Sequence, residues 1–376
     1  MAEKLKLMTV IGTRPEIIRL SATIKACDHY FQHILVHTGQ NYDYALNQVF
    51  FDDLGLRAPD IYLESAGSHL GETIGNIISR SYEILANEQP DALLILGDTN
   101  SALAAIAAKR LKVPIFHMEA GNRCWDWNVP EMINRKIVDH IADINLPYTE
   151  HSRRYLMAEG IDGKTIFVTG SPLPEVIGEN WSKIERSDVL DRLTLIRGKY
   201  ILLSAHREEN IDLEDNFESL MAAISGIAEK YQLPLIYSLH PRSKKFIDER
   251  KLSFHPLVRT MEPFGFNDYI KLQVNAYCVL SDSGTLSEES NILNFPAVLI
   301  RTSTERPEVI DKGTIVIGGI DLKGISQAID ISVATHGEGV KPTPLIDYSD
   351  TKISIKVVKI IQSYTRIVRN TVWRNL

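Results

Sequence analysis

The chain has 376 residues, is 44% hydrophobic and 24% charged, and carries a net charge of −7. That length suits about two domains, and the acidic balance leaves no basic footprint for nucleic acid. The cysteines, Cys27, Cys124 and Cys278, are far apart and odd in number. They fit a reducing compartment and supply neither a disulfide framework nor a metal-binding spacing.

The opening stretch MAEKLKLMTVIGTRPE has an apolar run too short for a signal segment, and it reads as a first strand. No run approaches the roughly 20 apolar residues of a spanning helix. A cytoplasmic protein without membrane insertion is expected.

In chain order, short apolar runs fall at 7–11, 33–37, 92–96, 113–116, 144–146 and 166–168, with helix-period stretches between them. Pro15–Cys27 shows the pattern, with Ile17, Leu20, Ile24 and Cys27 on one face. Near-continuous apolar strands alternating with helices predict a parallel sheet covered on both faces. The second half repeats this with runs at 200–203, 235–239, 277–280, 297–300 and 314–317. The stretch 172–199, with Gly178, Gly198 and many charges, reads as the linker. The expected fold is α/β: two doubly wound, Rossmann-like domains facing a cleft, at 1–172 and 173–350, with a closing C-terminal helix over 351–376. That helix has an apolar stripe (Ile353, Val357, Ile360, Ile361, Tyr364, Val368) amid lysines and arginines. Packing onto the body is the expected use of the stripe, with a membrane-surface helix as the alternative.

Ligands of open α/β sheets bind beyond the carboxyl ends of the strands. Polar segments stand at those ends, one after nearly every run: GTRPE, TGQN, GDTN, HMEAGNR, SAHREEN, HPR, SDSGTLSEES and RTSTERPE. Ser283, Gly284 and Thr285 would offer backbone N–H groups at a helix start, where an anion is favoured. Glu288 or Glu289 could accept both hydroxyls of a ribose, and Ser–Glu capping is the plain alternative. Arg14, after Gly12 and before Pro15, suits a diphosphate by its fork geometry, or else an ion pair with Glu16. His206 and His240 stand at strand ends of the second domain. Asp98, Glu119 and Glu131 gather on the first-domain edge, where mutual repulsion should raise at least one pKa and suit it to proton transfer. A metal site competes with that reading, but the spacing is poor for one and cations abound. The helix begun by Pro130 is expected to bury Ile133, Ile137 and Ile141 while Asn134 and Arg135 leave on other faces. Trp125 and Trp127 are read as pocket shape. No GxGxxG and no Walker A sequence occurs, so a nucleotide would be held as substrate.

Taken in order, GTRPE, GDTN, HMEAGNR, PEMINR, HREEN, HPR, SDSGTLSEES and ERPE resemble the non-hydrolysing UDP-N-acetylglucosamine 2-epimerase family over residues 7–318. The resemblance implies the two-domain B-type glycosyltransferase (GT-B) fold. It implies C2 epimerisation of a UDP-N-acetylhexosamine for surface polysaccharide, through loss of UDP to a 2-acetamidoglucal and its re-addition. Neither cofactor nor metal is implied, and the assembly would be a homodimer. The implied catalytic groups are Asp98, Glu119, Glu131 and His206. Arg14, His240, Ser283, Gly284, Thr285, Glu289 and Arg306 would hold the UDP-sugar, with Phe266 near uracil. GNRC, followed by an aromatic residue and Asp126, and SDSGT look closest to the branch acting on UDP-2-acetamido-2,6-dideoxy-hexoses. The chain departs from the common family pattern at Thr285, where a second Gly is usual, and at Met132, where a second Glu is common. A glycosyltransferase of the same fold, a hydrolysing 2-epimerase and a two-lobed binding protein remain the alternatives.

Overall fold

The computed structural model describes residues 3–39, 44–125, 127, 129–211, 213–302, 304, 306–340 and 343–374. Gln40 and Asn41 of TGQN, Asp126 and Glu305 lie outside them. The chain forms two compact units, one of residues up to Glu179 together with those from Ser349 onward, the other Asn180–Tyr348.

The first unit holds a parallel sheet of β1 (Lys6–Ile11), β2 (Gln32–His37), β3 (Ile61–Tyr62), β4 (Ala92–Leu96), β5 (Ile115–Met118) and β6 (Ile144–Leu146), ordered β3-β2-β1-β4-β5-β6. The second unit repeats that order with β7 (Ile201–Ser204), β8 (Leu235–Ser238), β9 (Val258–Met261), β10 (Cys278–Ser281), β11 (Ala297–Leu299) and β12 (Val316–Ile317). Its sheet runs β12-β11-β10-β7-β8-β9, also parallel. The strand order reverses between β1 and β4 in one sheet and between β7 and β10 in the other. Each such reversal opens a crevice at the carboxyl ends of the strands.

The apolar runs become strands because helices cover both faces. Leu7, Met8, Val10 and Ile11 are all buried, as are Leu93–Ile95. The helix Arg14–Tyr30 starts with Pro in its first turn and buries Ile17, Leu20, Ile24 and Cys27. Each large aliphatic of that stripe contributes about 1.5–3 kcal/mol by leaving water. The helix Ile353–Thr371 packs on it and buries Ile353, Val357, Ile361 and Val368. Lys356 donates to the Thr169 carbonyl at 3.0 Å, Arg369 pairs with Asp91 at 2.9 Å, and Ser354 bonds the Glu175 carboxylate. The stripe is therefore core, and two of its flanking cations are docked to the same unit. Among the described residues no helix is long and apolar enough to cross a membrane.

Four segments differ from expectation. The 166–168 run forms no strand. Ile166 makes an isolated bridge to Asn145, and the chain tracks β6 through Phe167 N–H to Asn145 O at 2.9 Å and Thr169 N–H to Pro147 O at 3.0 Å. The edge strands β3 and β9 carry no readable signal: one is two residues long, and the other exposes Arg259 and Thr260. The stretch 172–199, in which the first boundary between the units falls, is largely helical, at Leu173–Arg186 and Val189–Arg192, and it buries Val176, Ile177, Ile184 and Val189.

Candidate functional site

At the first-unit reversal, the turn after β1 is tied to the turn after β4 by Glu16. Its carboxylate accepts from Gly12 N–H at 3.0 Å and from Thr13 Oγ1 at 2.8 Å, and it also takes the Ser101 hydroxyl. Burial pushes the Glu16 pKa from 4.5 up to about 7 against the lowering effect of these bonds. The raised carboxyl of this edge is thus Glu16, a residue the motif reading treated only as an ion-pair partner. Because its folded pKa lies above the unfolded one, stability is fullest at low pH and falls as pH rises from about 4.5 through 7. Going from pH 5 to pH 8 should cost the wild-type unit roughly 2–3 kcal/mol more than it costs Glu16→Gln. Melting curves of both proteins across that range check this, and parallel pH dependences would contradict it.

Asp98 and Glu119 come just after neighbouring strands, β4 and β5. Glu119 has a left-handed backbone (φ 62), uncommon for a side chain of this kind. Its Oε2 lies 3.4 Å from where a Cβ on Gly97 would stand, and Gly97 itself has φ +71. Glycine at that point allows both the turn and the close approach. Arg19, buried on the first helix, stands 3.4 Å from Glu119 Oε1, and Asn122 donates to the same oxygen at 3.2 Å. Asp98 Oδ2 takes two bonds from Arg135, at 2.7 Å from Nε and 2.6 Å from Nη2. Asn134 donates to the Asp98 carbonyl at 2.9 Å and to Asn100 Oδ1 at 3.1 Å.

These bonds reverse the expected facing of the helix Glu131–Ile141. It buries Met132, Asn134, Arg135, Val138 and Asp139, while Ile133 is 53% and Ile137 37% exposed. The polar face goes inward because a charged and an amide side chain find hydrogen-bond partners in the β4 turn, which offsets leaving two isoleucines in water. Glu131 is the first residue of this helix, after Pro130. Arg14 begins the helix after β1, with its guanidinium 5.5 Å from the Phe50 ring centroid. The unit thus carries Arg14, Asp98 and Glu119 on the ends of three adjacent strands.

The second unit builds its own reversal around Asp282. This buried carboxylate accepts from His206 N–H and Arg207 N–H at 2.9 Å each and from Asn210 Nδ2 at 3.1 Å. Burial raises its pKa against those bonds. His206 Nδ1 lies 3.4 Å from Asp282 Oδ1, and the His206 and His240 rings stack at 5.3 Å. Gly284 precedes the helix Thr285–Leu293. There Ser283 N–H meets Ser281 Oγ at 3.1 Å and Thr285 N–H meets Ser283 Oγ at 3.3 Å. Glu289 accepts from Gln273 at 2.5 Å. Glu288 is fully buried and pairs with Arg306 at 2.7 Å. Phe266, 5% exposed, heads the helix Phe266–Asn275.

The motif reading missed Glu16, Arg19, Arg135 and Asp282. A signal existed for the first two. Glu16, Arg19 and Thr23 are polar residues at i, i+3 and i+7 of the first helix, and all are buried. Among the described residues no group of three or more His, Cys, Asp or Glu is placed to hold a metal.

Two parallel sheets of one strand order, with acids at the reversal of the first and a helix start suited to anions at the reversal of the second, define an α/β enzyme of the GT-B-like class. The UDP-N-acetylglucosamine 2-epimerase family profile matches residues 25–362, and the chain belongs to that family. It is an isomerase of the UDP-N-acetylglucosamine 2-epimerase type. The structure of UDP-N-acetylglucosamine 2-epimerase from Rickettsia bellii is 45% identical, with a TM-score of 0.92 over 99% of this chain and 100% of that one. The Methanocaldococcus jannaschii UDP-GlcNAc 2-epimerase, solved in complex with UDP-GlcNAc and UDP, is 32% identical, with a TM-score of 0.89 over 95% and 99%. A curated UDP-N-acetylglucosamine 2-epimerase of that organism is 35% identical over 87% of this chain and 92% of its own length.

Proposed function

We propose that the protein inverts C2 of a UDP-N-acetylhexosamine without hydrolysing it. A carboxylate takes the C2 proton while the C1–O bond breaks and its electron pair leaves with UDP. The product of that step is a 2-acetamidoglucal with a C1–C2 double bond. UDP then adds back at C1 as a proton reaches the opposite face of C2. The hydrogen leaves and returns as a proton, so the reaction calls for no redox carrier. Two faces call for two proton-handling groups, and Asp98 and Glu119, on adjoining strand ends, supply them. That juxtaposition carries the proposal. Glu131, one turn from Arg135, is assigned to the same set.

In this scheme His206, with His240, serves the departing diphosphate. Ser283, Gly284 and Thr285 receive phosphate at the helix start, Glu289 takes the ribose and Phe266 lies by uracil. Arg14 and Arg306 balance the diphosphate charge, Arg306 from within its pair with Glu288. UDP-GlcNAc is the first substrate to test. The loop sequence GNRC with its adjoining tryptophan favours a second reading, a UDP-2-acetamido-2,6-dideoxy-hexose. The product would enter surface polysaccharide synthesis, and the family resemblance suggests a homodimer.

The test is incubation of each UDP-sugar in heavy water with no acceptor, and then NMR. Deuterium at C2 together with the second epimer, and with UDP-sugar conserved, is the expected result. Accumulation of free sugar and UDP would make the protein a hydrolase. Turnover only on adding an acceptor, with no C2 exchange, would make it a glycosyltransferase.

A further inference from the structure

Beneath Asp98 and Glu119 runs a buried chain of charged side chains that the epimerisation scheme does not use. His117, on β5, places Nε2 2.7 Å from the Gly97 carbonyl. A carbonyl only accepts, so Nε2 carries a proton. The other ring nitrogen, Nδ1, lies 3.0 Å from Asp139 Oδ1, an ion-pair contact that needs a proton on Nδ1 as well, so the ring is held here as the imidazolium. Asp139 also accepts from Gly121 N–H at 3.1 Å, and its Oδ2 is 2.8 Å from Arg123 Nη1. Arg123 in turn grips Glu159 at 2.9 and 2.7 Å, and Lys136 closes the chain on Glu159 at 2.6 Å. His117, Arg123 and Asp139 are each no more than 1% exposed.

One carboxylate therefore ties down two turns. Through His117 it holds the turn after β4, whose left-handed Gly97 directly precedes Asp98. Through Gly121 and Arg123 it holds the turn after β5, whose Glu119 is left-handed as well. A non-glycine residue with a left-handed backbone, as Glu119 has, persists there only where its surroundings enforce it. Burial alone would raise the Asp139 pKa, yet His117 and Arg123 outweigh it and hold the carboxyl below the usual range. The anion is the form that the surroundings bind.

We propose that His117 and Asp139 are positioning residues, which fix the separation of Asp98 and Glu119 by fastening the Gly97 carbonyl and the Gly121 amide to one buried carboxylate. Neither residue is assigned contact with the sugar. The proposal rests on the reading of Asp98 and Glu119 as the proton-handling groups.

His117→Ala removes both links, whereas the amide of His117→Gln can still donate to the Gly97 carbonyl. With UDP-GlcNAc, kcat should fall about 100-fold in H117A and about tenfold in H117Q, with KM and UDP affinity within about threefold of wild type. Asp139→Asn should resemble H117A. Circular dichroism and UDP binding establish folding first. Should H117A or D139N fail to fold, H117Q decides. A folded variant with kcat within twofold of wild type overturns the positioning role. So does a loss carried wholly by KM, or an H117Q no better than a folded H117A. Wild-type protein that takes up no C2 deuterium overturns the epimerase scheme instead, and this proposal falls with it.

Discussion

Asp98→Asn is expected to cut epimerisation by about a hundredfold to ten-thousandfold, the range that a positioned acid–base group supplies. The fold should survive the change. Arg135 holds Oδ2 of Asp98 through two of its nitrogens, and an asparagine oxygen can take those bonds. The Asn134 amide rests on the Asp98 backbone carbonyl, which the substitution leaves in place. An asparagine amide, however, cannot accept a proton from C2. UDP affinity should therefore stay near wild type while kcat collapses, and isothermal titration with UDP beside an NMR rate assay measures both. Loss of inversion with retained C2 exchange would assign Asp98 to one face of the ring only. Full activity would remove it from the mechanism.

Gly121→Ala should be the most destabilising single-methyl change at this edge. Its φ is +81, and an added Cβ would stand 2.5 Å from the Ser152 carbonyl oxygen and 2.9 Å from Leu156 Cγ. The backbone oxygen cannot swing aside as a flexible side chain would. Left-handed strain of about 1–2 kcal/mol adds to overpacking of about 1–3 kcal/mol, so roughly 2–5 kcal/mol is expected. Gly160→Ala isolates the first contribution, since Gly160 has φ +89 and nothing within 4 Å of the added carbon. Denaturant titration of the two variants should show G121A weaker than G160A by at least about 1 kcal/mol. Equal losses would mean that the Ser152 segment yields to the methyl at little cost.

The central strands were legible because they are buried on both faces and so read as unbroken apolar runs. β3 and β9 escaped notice as short or half-exposed edges, where packing no longer demands an apolar sequence. The helix Glu131–Ile141 misled in a more informative way. Periodicity put Ile133 and Ile137 inside, yet Asn134, Arg135 and Asp139 occupy the buried face. Hydrophobic period records what an average helix buries. It cannot register that a neighbouring turn offers Asp98 and Asn100 as partners.

The same division runs through the site. Local sequence determined the alternation of strand and helix, the polar groups at the strand ends and the ordered motifs that mark the family, because backbone propensity, apolar runs and turn chemistry act between near neighbours. Tertiary structure alone decided that Glu16 joins two turns 85 residues apart, that Asp282 gathers the His206 turn, and that His117 and Asp139 lie beneath Asp98 and Glu119. Those are charge and hydrogen-bond pairings between distant segments. Their strength comes from burial, and burial exists only once the chain has folded.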